Sequence, residues 1–145
     1  MSLSDEMLAK LIGAARAAHK RAYAPYSHFR VGAAVLVSDG SIFSGCNIEN
    51  ASYGLTICAE RTAVFQAVSA GKCEIEGVAV YTPTPEPTAP CGACRQVILE
   101  FAPDAEVVSA CDGPATIRMN ARALLPESFG HGNMHCSGYG EQEST

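Results

Sequence analysis

The chain has 145 residues, 48% hydrophobic and 17% charged, which suits one domain with a single sizeable core and excludes a disordered chain. Its formal net charge of -5 repels phosphate backbones, so composition argues against nucleic-acid binding as the main activity and favours a small, weakly charged substrate. The N-terminus lacks the basic start and apolar run of a secretory signal, and no apolar stretch is long enough to cross a bilayer; the expected compartment is the cytoplasm. Thiols stay reduced there, and seven cysteines cannot complete a disulfide set.

In chain order, Ser4 with Asp5 and Glu6 reads as a helix start, a capping hydroxyl followed by acids. Leu8, Leu11, Ile12 and Ala15 repeat on one helical face, and Pro25 ends the segment. Val31 to Val37 is a buried-strand pattern, Asp39-Gly40 a tight turn, and Ser41 to Glu49 the returning strand of a hairpin. Ala59 to Gly71 predicts a second helix with Gly71 as its stop. Ile75 to Thr82 is a third strand. Pro83 to Pro90 is a rigid loop that cannot join a sheet.

Gly92 to Phe101 is a further helix, followed by a short strand from Ala105 to Ala110 and a turn at Asp112-Gly113. Ala121 to Leu125 closes the pattern as a short helix before Pro126. Residues 1–130 thus read as a single α/β domain, a mixed sheet covered by helices. Residues 131–145 read as a polar, flexible tail.

Two cysteine clusters carry the chemistry: Cys58 two residues before Glu60, and Cys91 three residues before Cys94. Each falls at a helix start, near the strand edge where α/β sheets place their sites. The i, i+3 spacing lets Cys91 and Cys94 face one way. Helix N-termini lower thiol pKa values, as metal ligation requires. Three sulfurs with one open position describe a catalytic zinc, and a fourth protein ligand would describe a structural one. Glu60 favours the former, because a hydrolytic zinc needs a nearby proton acceptor. Arg61 is placed to donate to the thiolates and offset their negative charge, and Gln96 to donate similarly.

Other residues have plainer readings. Cys46, Cys73 and Cys111 read as small buried residues in or beside strands. Asn47 and Glu49 stand two apart, on one strand face, but also suit a turn or cap. Phe29 could be ordinary core and Phe129 a tail anchor. His131, His135 and Cys136 match no metal spacing, and His19, His28, Arg21 and Arg30 read as solvated surface.

Taken together, Cys58-Ala59-Glu60 and Pro90-Cys91-Gly92-Ala93-Cys94 resemble the small, homotetrameric zinc cytidine deaminases. The resemblance runs from YAPYSHFRVGAA at Tyr23 through GCNIENASYG to LLPESFG at Phe129. It implies a three-layer α/β/α fold with a mixed, about five-stranded sheet. It also implies a zinc ion in each chain, on Cys58, Cys91 and Cys94, with Glu60 relaying protons between water, ring N3 and the leaving amino group. The products are uridine or deoxyuridine and ammonia, and the place is pyrimidine salvage.

By the same resemblance Asn47 and Glu49 hold the ribose, Phe29 packs against the pyrimidine, and the Ala59 backbone reads the base edge. Phe129 approaches the base from a neighbouring subunit, and Tyr53 lies near subunit contacts. Deamination of a nucleoside antibiotic such as blasticidin S and a non-catalytic zinc-stabilised module are the competing readings. The family's second apolar anchor after LLPESFG is replaced here by HGNM.

Overall fold

In the computed structural model, which describes residues 2–131, α1 (Asp5–His19) is capped by the Ser4 hydroxyl, which accepts from Met7 N. It is followed by β1 (Gly32–Val37), β2 (Ile42–Cys46), a short 3-10 turn (Tyr53–Leu55) and α2 (Ala59–Ser69). Then come β3 (Ile75–Tyr81), α3 (Gly92–Phe101), β4 (Glu106–Ala110), β5 (Ile117–Asn120) and α4 (Ala121–Leu124). The strand order is β2-β1-β3-β4-β5. Only β3 and β4 run parallel, joined through α3. β1 pairs antiparallel with β2 and β3, and β4 with β5.

Alternation along β1 assigns each face its layer. Ala34 and Leu36 join Ala79 and Tyr81 against Leu11 and Ala15 of α1. Ala33, Val35 and Val37 join Val78 and Val107 against Ala63, Val64 and Ala67 of α2 and Ile98 of α3. The result is the expected three-layer, mixed, five-stranded arrangement. Among the described residues no helix is long and apolar enough to cross a membrane.

The structure differs from the expectations at three places. β2 ends at Cys46, so Asn47 and Glu49 lie beyond it. Ile48 instead makes isolated bridges to Tyr23 and Ile57, which turn the chain toward α2. β5 had no residue signal: its side chains are half-buried or exposed, so no alternation marks it, and pairing with β4 defines it. Cys73 is exposed in the turn before β3, not buried, while Cys46 is half-buried and Cys111 buried. Of the tail, residues 132–145, including His135 and Cys136, lie outside the described residues; His131 meets Glu100 at 2.6 Å.

Gly45 sets how closely α2 approaches the sheet. A Cβ there would stand 2.6 Å from Ala63 N and 2.8 Å from Thr62 Cβ. Gly45→Ala is therefore expected to destabilise the fold by about 1–3 kcal/mol, the usual cost of overpacking. Urea unfolding would show a lower midpoint at unchanged slope. An unshifted midpoint would mean that α2 can move outward freely.

Candidate active site

Cys58 is the N-cap of α2 and Cys91 the N-cap of α3, both in extended backbone conformation. Neither side chain takes the hydrogen bond that a capping oxygen would accept. Both sulfurs are thus left to point away from their own helices. The two helix starts converge: Cys58 Sγ lies 3.8 Å from Cys91 Sγ, and the three sulfurs of Cys58, Cys91 and Cys94 lie within 4.8 Å of one another. In a tetrahedral zinc site with bonds of about 2.3 Å, neighbouring sulfurs stand about 3.8 Å apart. The set fits zinc in donor type and spacing. Among the described residues it contains no fourth ligand.

The surrounding electrostatics fit as well. Arg61 Nη2 donates to Cys58 Sγ at 3.4 Å. Arg61 Nε is buried with no acceptor, a free donor beside a group that becomes more negative once its thiols ionise. The Cys58 thiol is lowered to about 5, chiefly by the hydrogen bond from Cys94, with Arg61 assisting against burial. Cys94, facing that sulfur and buried, is pushed up. Within the set, Cys58 is the sulfur biased toward the thiolate.

Glu60 follows Cys58 by two residues and sits in the first turn of α2, 6% exposed. Its Oε2 lies 3.6 Å from Cys94 Sγ. Burial pushes its carboxyl above the usual range, and the negative Cys58 adds to this. A carboxyl raised in this way holds a proton more readily than an exposed one, as a group that relays protons must.

Beside these groups lies a cavity of about 240 Å³ at the carboxyl end of β3. Phe29, Asn47, Glu49, Cys58, Ala59, Glu60 and Cys91 all line it. Phe29 is 40% exposed, so it is not ordinary core. Asn47 joins the wall by bracketing the Phe29 segment: its Oδ1 accepts from Val31 N at 2.8 Å and its Nδ2 donates to Phe29 O at 2.7 Å. Glu49 Oε1 accepts from the backbone of Tyr26 and Ser27 at 2.9 and 3.1 Å, and Oε2 from the Ser27 hydroxyl. The Ser27 hydroxyl chiefly, despite opposing desolvation, holds the Glu49 carboxyl below its ordinary range. Both residues thus brace the loop as a turn residue would, while facing the cavity.

Other expected residues stand elsewhere. Gln96 does not donate to sulfur. Its Nε2 reaches Phe129 O at 3.0 Å, because it points along α3 toward the C-terminal segment. Phe129 is 60% exposed and does not line the cavity of its own chain. Tyr53 is 75% exposed, its ring edge-on to Tyr26 at 5.8 Å. Residue-level reading passed over Ser27, Thr56, Thr82 and Thr88, which also line the cavity. Thr88 in the proline-rich loop and Thr56 ahead of Cys58 carry no chemical motif; only the position of Thr82 at the carboxyl end of β3 marks it.

The sequence profile of the cytidine and deoxycytidylate deaminase zinc-binding region matches residues 5–111. A cytidine deaminase of Halalkalibacterium halodurans is 57% identical over 93 residues, 64% of this chain and 70% of that one. One of Mycobacterium tuberculosis is 43% identical over 120 residues, 83% of this chain and 87% of that one. The crystal structure of cytidine deaminase from Burkholderia pseudomallei superposes with a TM-score of 0.81 at 49% identity, covering 88% of this chain and all of that one.

The thiol electrostatics are open to direct measurement. In the metal-free protein, iodoacetamide labelling of Cys58 should be half-maximal near pH 5 and flat above about pH 6, since the thiolate is the reactive form. Cys46, pushed up by burial, should label only at higher pH. Peptide mapping by mass spectrometry reads both. A Cys58 rate still climbing through pH 8.5 would contradict the hydrogen-bonded thiolate.

Proposed function

The chain belongs to the cytidine and deoxycytidylate deaminase zinc-binding family, and on that premise we propose that it hydrolyses cytidine and 2′-deoxycytidine to uridine and 2′-deoxyuridine with release of ammonia. The observation that carries the reading is a buried carboxyl, Glu60, beside a three-sulfur metal group at the wall of a cavity of about 240 Å³. A structural zinc knot has no use for such a carboxyl.

Cys58, Cys91 and Cys94 would hold one zinc ion, which when bound would supply Lewis acidity and bring the pKa of water down to about 7. Glu60 accepts the proton of the attacking water. It delivers that proton to ring N3 as the C4–O bond forms, then takes the remaining hydroxyl proton and passes it to the amino group as the C4–N bond breaks, the C4 carbonyl forms and ammonia departs. One water enters and one ammonia leaves. Arg61 offsets the charge of the three thiolates through Cys58.

Phe29 packs against the pyrimidine, and the Ala59 backbone reads its edge. Asn47 and Glu49 take the ribose hydroxyl. Their bracing bonds leave one amide N–H on Asn47 and one carboxylate lone pair on Glu49 for that purpose. The enzyme works as a cytoplasmic homotetramer in pyrimidine salvage. Phe129, exposed on its own chain, reaches the base in a neighbouring subunit, and Tyr53 lies at a subunit contact.

Loss of cytidine absorbance with one zinc per chain is the expected result for purified protein. Zinc without turnover on cytidine or deoxycytidine would defeat the proposal. Glu60→Gln should keep its zinc and lose about 10²–10⁴ in turnover, the usual contribution of general acid–base catalysis; wild-type turnover would remove Glu60 from the mechanism. Light scattering should give four chains per particle at micromolar concentration, and a monomer would withdraw the intersubunit role of Phe129.

A further inference from the structure

The proposed chemistry gives no task to Arg95, although it adjoins Cys94. Its side chain is half-buried and spans two carbonyls: Nε donates to Pro90 O at 2.8 Å and Nη1 to Leu124 O at 2.9 Å. Its backbone N–H donates to Cys91 O at 3.0 Å. One residue therefore holds both peptide groups of Cys91, the one before it and the one after it.

The two carbonyls have different needs. Cys91 O is the first acceptor of the α3 ladder, so any residue but proline at position 95 would satisfy it. Pro90 O precedes the N-cap, and the ladder does not use it. Pro90 is buried, and a buried carbonyl without a donor is costly. The loop that leads into Pro90 is poor in donors, since Pro83, Pro85, Pro87 and Pro90 have no N–H.

The far end of the bridge is firm. Leu124 is buried in the core beneath α2 and α3, and Ala121 N donates to Ala105 O at 3.0 Å to fix α4. Of the three sulfur-bearing residues, Cys91 is the exposed one, Cys58 is half-buried and Cys94 is buried. The cysteine with the least packing to hold it has the guanidinium brace.

Given the zinc-binding reading on which this rests, we infer that Arg95 is a positioning residue for the metal site. It sets the backbone at Cys91 by tying the peptide before that cysteine to the core end of α4. A guanidinium suits this because its planar fork reaches two carbonyls at once, whereas an ammonium is a single point donor.

Zinc affinity is measured by competition with a chromophoric chelator on the full chain, alongside the metal-free melting temperature and amide hydrogen exchange. Arg95→Gln is expected to bind zinc 10–100-fold more weakly, as loss of a group that orients a ligand does. The Cys91 segment should exchange faster, and Arg95→Lys should recover part of the affinity. Zinc affinity of Arg95→Gln within twofold of wild type would overturn the inference. So would a loss in affinity that Arg95→Lys does not relieve at all. Should Arg95→Gln fail to fold, Arg95→Lys decides: weaker zinc binding at an unchanged metal-free melting temperature supports the brace, and wild-type affinity overturns it. A wild-type chain that binds zinc but does not deaminate cytidine would defeat the proposed reaction alone, and the Arg95 comparison would still be read on zinc affinity.

Discussion

Two helices begin at one point in this molecule, and each begins with a cysteine in the place where a capping oxygen would ordinarily sit. Much of the remaining architecture serves to make that convergence possible. The parallel pair β3 and β4 delivers α3 from the carboxyl end of the sheet, and the β1–β2 hairpin brings α2 down beside it through the bridges of Ile48. The positive ends of both helix dipoles then face three sulfurs that form anions when metal binds. Gly45 allows α2 to lie close enough for the sulfurs to meet.

The same convergence explains why Glu60 is buried. A first-turn residue of α2 set against Cys94 of α3 keeps only a small exposed edge at the cavity, so its carboxyl is raised by desolvation and by the neighbouring sulfur. Folding would be served better by an apolar group at that position. The carboxyl persists where it costs stability, which is the usual mark of a residue kept for chemistry and not for packing.

The parts of the fold that rest on local signals were legible in the sequence. The Ser4 cap, the apolar runs of β1, β3 and β4, and the Gly71 stop, where φ is +79°, all stand where residue chemistry puts them. The metal group was legible because CxxC spacing and helix starts are local too. What escaped depends on tertiary pairing. β5 has no apolar alternation and exists by its ladder to β4. Alternation in a strand placed Asn47 and Glu49 on one face, whereas they reach the cavity from a bridged segment beyond β2. Gln96 could be placed on α3 but not aimed, since its partner, the carbonyl of Phe129, is thirty-three residues away in sequence. Ribose and base contacts came from resemblance, because nothing in the residue types distinguishes a bracing asparagine from a ligand-binding one.

The proline-rich segment between β3 and α3 gives one wall of the cavity an unusual mechanical character. Thr88 and Ala89 face the cavity from a stretch whose φ angles are pinned at four of eight positions, and Thr82 and Thr84 join hydroxyls at 2.8 Å beneath it. Such a wall has few alternative shapes to explore and little freedom to surrender when a ligand arrives. On the opposite side Phe29 stands partly exposed on a loop held by side-chain hydrogen bonds. The cavity is in effect a vice whose two jaws are stiffened by different means, prolines in the jaw that runs into Cys91 and side-chain hydrogen bonds in the jaw that carries Phe29.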